Sequence, residues 1–190
     1  MKKGINLMFA LVAAGTFLVP PIQAQDSSLR PQHDCPSCVS FGVQRFRERK
    51  EALSFSLRHL DGNTVALNDL KGKPLLLVFW ASWCDACKED IPILQKFLDA
   101  KKDQLAQLNV YAIAIDGEKE KRVQRVVKKY KITLPVLLDE KERLARKYGV
   151  QMVPTVFLVT KDGLVEGKIV GQRDWTVPEA WHVVKELLMK

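Results

Sequence analysis

Four cysteines fall into two pairs of identical spacing, Cys35 and Cys38 in CPSC and Cys84 and Cys87 in CDAC. Two thiols separated by two residues can hold a soft metal, staple the chain or trade electrons. The second pair follows the apolar run KPLLLVFW and opens the helical pattern CKEDIPILQKFLDAKKDQL. Cys84 is therefore expected at a helix N-terminus. Unpaired N–H groups and the positive end of the helix dipole stabilise a thiolate there, and the thiolate is the nucleophile of disulfide exchange. On the first helical turn Cys87 can reach back to Cys84, so the outer sulfur attacks and the inner one resolves. A staple closing so small a loop removes little chain entropy, which argues for exchange over an inert crosslink. A metal site is the remaining alternative.

The elements that must position this pair are readable from periodicity. KPLLLVFW is a continuous apolar run of strand length, suited to a strand buried on both faces. The helix after it carries Ile91, Leu94, Phe97 and Leu98 on one face, with Pro92 predicted to kink it. SFSLRHLDGNTVAL reads as two short strands around an Asp61-Gly62 turn. NVYAIAID and TLPVLLD read as strands. EKEKRVQRVVKKY places Val123, Val126, Val127 and Tyr130 on one helical stripe. KERLARKYG is a helix ended by Gly149. TVFLVT and LVEGKIV, joined by KDG, form a hairpin. Thr176 and Glu179 read as a capping box, with Pro178 in the first turn of the last helix. FGVQRFRERKEAL is expected as a short basic helix. Alternating strands and helices that end in a hairpin and a helix argue for an α/β fold on a mixed sheet.

The first 24 residues have a positive start, an apolar run from Ile5 to Val19, the breakers Pro20 and Pro21, and the small residue Ala24. That layout is a secretory signal, with an N-terminal membrane anchor as the alternative. Export implies a periplasmic or other extracytoplasmic, oxidising compartment. The expected organisation is a signal at 1–24, a linker or cap carrying the first CxxC at 25–53, and a domain at 54–190. The net charge is +8, two units of which are Lys2 and Lys3 in the leader. The basic residues are scattered over helical faces without interleaved aromatics, which argues against nucleic acid as a partner.

FWASWCDAC resembles the active-site motif of the thioredoxin superfamily. The longer frame resembles the extracytoplasmic TlpA/ResA-like branch of thiol–disulfide oxidoreductases, through LKGKPLLLVFWASWC, CKEDIP and YGVQMVPTVFLVTKDG. A lone CxxC is a weak signal, but CxxC joined to a VPT whose Pro154 lies 67 residues after Cys87 is specific. The resemblance implies a thioredoxin-like fold, a central mixed sheet flanked by helices. Beside the N-terminal strand pair read above, it adds an extra helix and strand near 117–141 that plain thioredoxins lack. It implies a cis bond before Pro154, packed on the redox pair, that exposes the backbone of Val153 to a substrate strand. Trp83 would flank the site and cover the pair, whereas Trp80 reads as core.

Val78 stands where thioredoxins carry a buried aspartate that accepts the inner cysteine's proton. The ResA-like branch instead has an acid, usually glutamate, three positions after the second cysteine, and Asp90 occupies that place. The alternative for Asp90 is an exposed first-turn acid favoured by the helix dipole. Asp85, between the cysteines, would repel a Cys84 thiolate and so favour the disulfide, making the pair a reductant.

The resemblance further implies an enzyme that needs no cofactor beyond its redox-active disulfide. Its substrate would be a protein disulfide, in apocytochrome c or copper-site maturation. A membrane dithiol of the DsbD or CcdA type would resupply electrons. The rival reading is a non-enzymatic copper or zinc carrier using one or both pairs. A thiol peroxidase is disfavoured because no threonine-rich loop precedes a lone cysteine. Cys35 and Cys38 lie upstream of the resemblance. They read as a second redox pair or as a stable disulfide at a chain end, with ligation of a soft metal alongside His33 as the further alternative.

Overall fold

The structure is a computed structural model that describes residues 35–190, which form one compact unit. The expected signal segment and His33 lie outside the described residues. In chain order the elements are α1 (Pro36–Ser40), β1 (Val43–Glu51), β2 (Ser56–His59), β3 (Thr64–Ala66), β4 (Leu75–Trp80) and α2 (Asp85–Ala100). There follow β5 (Asn109–Ala114), α3 (Glu120–Lys129), β6 (Val136–Leu138), α4 (Arg143–Lys147), β7 (Thr155–Val159), β8 (Leu164–Val170) and α5 (Pro178–Leu188). The strands form one mixed sheet in the order β1-β8-β7-β4-β5-β6-β2-β3.

The unbroken apolar run of β4 fits its place. It pairs parallel with β5 and antiparallel with β7, and every one of its residues is buried. Such a strand has no solvent face and needs no alternation. The inserted segment near 117–141 contributes α3 and β6. The stripe of α3 buries Val123 and packs Val126, Val127 and Tyr130 on the core. β6 pairs parallel with β5 and antiparallel with β2, so the insert joins the N-terminal β2–β3 hairpin to the sheet. The hairpin turns at Asp61 and Gly62, where the Asp61 carboxylate accepts the Asn63 N–H at 2.9 Å. α2 continues through Pro92 without a break.

Two local expectations are corrected. Residues 43–51 form the edge strand β1, not a basic helix. Their apolar pattern is too weak to specify a helix, while β8 offers an open edge that satisfies the backbone. β1 approaches β8 closely because Gly167 has no side chain; a Cβ there would stand 2.8 Å from the Gln44 carbonyl oxygen. Apart from the half-buried Arg45, the charged residues of β1 are exposed, as suits a sheet edge. The capping box at Thr176 and Glu179 is also absent. Val177 precedes the helix and caps nothing with its side chain, and the Thr176 amide and hydroxyl both donate to the Asp174 carboxylate. A carboxylate two residues away is the stronger acceptor. Pro178 opens α5 as expected.

Among the described residues no helix is long and apolar enough to cross a membrane.

Candidate active site

β4 delivers the chain at the centre of the sheet, and the loop 81–83 carries it into α2 with Cys84 as N-cap. Parallel pairing sets the end of β5 beside the end of β4. That brings buried Asp116 against the loop. The Ser82 amide donates to one Asp116 oxygen at 3.1 Å, and the Ser82 hydroxyl to the other at 2.5 Å. A carboxylate thus holds the residue two before Cys84 by both of its donors.

Cys84 and Cys87 are disulfide-bonded, with their Cα atoms 5.3 Å apart. The Cys87 amide donates to Cys84 Sγ at 3.1 Å, which places a helix-terminus donor on the sulfur that would carry charge. Cys84 retains 6% exposure and Cys87 none. Attack from outside is therefore directed at Cys84, while Cys87 is shielded. The Val153–Pro154 peptide is cis. It turns the Val153 carbonyl oxygen to within 3.6 Å of Cys84 Sγ. Trp83 and Met152, next in the chain to these two groups, are exposed at 49% and 58%. Each of the two groups that meet here is thus preceded in the chain by an exposed apolar side chain. Trp80 lies in the core.

The two carboxylates of the helix start differ sharply. Asp85 projects into solvent and meets the Lys88 ammonium at 2.7 Å, which holds its carboxyl below the usual range. The repulsion expected of Asp85 on a Cys84 thiolate is therefore opposed by a cation on the same turn. Asp90 is not an exposed acid, since only 1% of its surface is accessible. Burial pushes its carboxyl up to about 6, against the Arg173 amide and the nearby Trp175 indole, which favour the charged form. The Arg173 N–H donates to its Oδ1 at 2.9 Å. Asp90 lies three residues after Cys87, hence on the same helical face.

Residues that the sequence left without a role are Ser82, Asp116, Met152, Arg173 and Trp175. Asp116 had a usable signal, since an acid ending an apolar strand beside the candidate loop invites a clamp. Arg173 and Trp175 had none, because their partners lie far away in the chain. Trp175 is buried between Phe41 and Phe97, with ring centroids 5.1 and 6.0 Å away. His59 pairs with Asp61, and His182 with the Ser37 hydroxyl.

Cys35 and Cys38 form a second disulfide, with Cys38 buried and Cys35 partly exposed. Among the described residues no three histidine, cysteine, aspartate or glutamate side chains are grouped to hold a metal ion.

Residues 49–168 match the AhpC/TSA family. The chain is 37% identical over 125 residues to the thiol-disulfide oxidoreductase ResA of Bacillus cereus, an alignment that covers 65% of this chain and 70% of that one. The crystal structure of StoA from Bacillus subtilis superimposes with a TM-score of 0.58 at 27% identity, covering 68% of this chain and 96% of that one. A secreted disulfide oxidoreductase of Mycobacterium tuberculosis, homologous to E. coli DsbE, superimposes with a TM-score of 0.52 at 25% identity, covering 61% and 82%. Matched in family, sequence and sheet, the chain belongs to the AhpC/TSA family of the thioredoxin superfamily and is a thiol–disulfide oxidoreductase of the ResA-like kind.

Proposed function

We propose that this enzyme reduces protein disulfides outside the cytoplasm, with Cys84 as the attacking thiol and Cys87 as the resolving one. The observation that carries this reading is the asymmetry of the pair. Cys84 reaches the surface beside the Val153 carbonyl, and Cys87 is sealed behind it. In the reduced enzyme, the Cys84 thiolate attacks a substrate disulfide and expels one substrate thiolate. Cys87 then gives up its proton and attacks Cys84 Sγ, which releases the second substrate sulfur. Two electrons pass to the substrate, and the enzyme is left as the disulfide seen here. Asp90, buried and pushed to about 6, is the acceptor for the Cys87 proton.

Val153 presents its backbone to an extended substrate segment beyond the cis bond to Pro154, and Trp83 supplies apolar contact. No cofactor beyond the cysteine pair is required. The substrates in this reading are apocytochrome c or the thiols of a metal site under assembly. The enzyme is exported by its N-terminal segment, and a membrane dithiol of the DsbD or CcdA type restores the reduced form. Insulin reduction by dithiothreitol tests the core of it. Mature protein accelerates the reaction and Cys84→Ser does not. Retained turnover in Cys84→Ser, or a reduction potential near about −120 mV rather than about −230 mV or below, overturns it.

A further inference from the structure

The Cys35–Cys38 disulfide precedes the residues matched to the family, and no step above uses it. Its local build repeats that of the first pair. The Cys38 amide donates to Cys35 Sγ at 3.1 Å, as the Cys87 amide does to Cys84 Sγ. The first sulfur is the accessible one and the second is buried. Beside the buried sulfur stands a cation, with Arg45 Nη2 3.5 Å from Cys38 Sγ. That guanidinium also meets Glu166 and Glu186, each at 3.6 Å.

A chain of contacts leads from this pair to Asp90, on the helix that carries the other. α1 is five residues long, too short to hold its shape alone, and the disulfide ties its first turn. Phe41 caps the helix. Its ring packs edge-on against Trp175, and its carbonyl accepts from Arg173 Nε at 3.0 Å. Gly42 makes the seat for that guanidinium. Its φ is +86°, and a Cβ there would stand 2.7 Å from Arg173 Nη2. The backbone amide of the same Arg173 donates to Asp90, three residues from Cys87.

We propose that Cys35–Cys38 is a second redox site, opened by dithiols, whose state is passed to Cys84–Cys87 through Phe41, Arg173 and Asp90. A thiolate of an external dithiol attacks Cys35 Sγ. The S–S bond breaks, and Cys38 leaves as a thiolate beside Arg45. The donor's second thiol loses its proton and attacks the donor sulfur of the mixed disulfide, which frees Cys35. The dithiol becomes a disulfide, two electrons enter the pair, and each released sulfur takes up a proton. Opening unties α1, loosens Phe41 from Arg173 and so changes the amide that Asp90 feels. The last link rests on Asp90 serving Cys87 as in the proposed function; the opening of the pair does not.

Two measurements test this in the full chain. The Cys84→Ser/Cys87→Ser variant is equilibrated with dithiothreitol buffers under native conditions, trapped with a maleimide and weighed. Cys35–Cys38 opens and closes reversibly while the protein stays folded, as its retained cooperative urea transition shows. A pair that reacts only once the protein unfolds is a staple, and overturns the proposal. The second readout is the iodoacetamide alkylation rate of Cys87 in Cys84→Ser, with Cys35 and Cys38 either disulfide-bonded or both replaced by serine. The rates differ by at least about fivefold, and Arg173→Ala removes the difference. Equal rates overturn the coupling and the proposal with it. Loss of the Cys84 mechanism would show in insulin turnover while leaving the Cys35–Cys38 titration readable, so the two failures are distinct.

Discussion

The two CxxC pairs share spacing, an N-capping first sulfur and a buried second sulfur, yet their settings differ. Cys84 sits where the central strand meets a sixteen-residue helix, against the Val153 carbonyl, and an exposed apolar residue precedes each of the two in the chain. Cys35 opens a five-residue helix packed on α5, with Arg45 beside its partner sulfur. The comparison teaches that a CxxC at a helix start encodes only the local geometry of exchange. Whether a protein substrate can dock is decided by what the fold brings alongside. Cys84–Cys87 has the Val153 carbonyl alongside; Cys35–Cys38 has the Arg45 guanidinium.

The largest effect that sharpens this contrast is at the attacking sulfur. Cys84→Ser lowers insulin reduction by more than about 1000-fold, whereas Cys35→Ser/Cys38→Ser leaves turnover measurable. Equal losses in a turnover assay would erase the distinction between the pairs.

Asp90 comes next, through pH. Its folded-state value of about 6 lies above the ordinary 3.8, so the folded protein holds this proton more tightly than the unfolded chain. Below 3.8 both states are protonated and Asp90 carries no penalty. Between 3.8 and about 6 the unfolded chain ionises first and stability falls as pH rises; above about 6 the loss is constant. Urea unfolding of wild type and Asp90→Asn at pH 3.5 and pH 7.5 should show the variant gaining up to about 3 kcal/mol on the wild type across that range. A difference that does not change with pH would place Asp90 in water.

The Asp116 clamp is the third test. Asp116→Ala leaves the Ser82 amide and hydroxyl buried without their acceptor, at a cost of about 2 kcal/mol in urea unfolding. It also lowers insulin turnover, because the loop before Cys84 loses its tether. Unchanged turnover would make the clamp purely structural. The smallest effect is at Asp85. With Lys88 already paired to it, Asp85→Asn shifts the Cys84–Cys87 potential by less than about 30 mV. A larger shift, read against glutathione, would mean that the ion pair does not screen Cys84.

Much of the fold was legible because its signals are local. The solid apolar run of β4, the stripe Val123, Val126, Val127, Tyr130, the Asp61-Gly62 turn and the β7–β8 hairpin all appear where periodicity and turn chemistry put them. β1 was misread because its nine residues carry little pattern, and only an edge of β8, more than a hundred residues later, makes them a strand. The capping box failed for a related reason. The motif was present, but Asp174, just outside it, took the Thr176 hydroxyl.

For the site itself, the sequence alone determined the two CxxC spacings, the strand-to-helix junction under Cys84 and the resemblance through VPT, since each depends on neighbours within a few residues. Burial and partnership were decided by the tertiary structure. Asp90 read both as an acid serving the pair and as a surface acid of its own helix until Arg173, 83 residues away, was laid across it. Asp116 reached Ser82 only because two parallel strands end side by side. A carboxylate's charge and task follow from the solvent and donors around it. Those are supplied by whichever segments the fold stacks there, which no local pattern specifies.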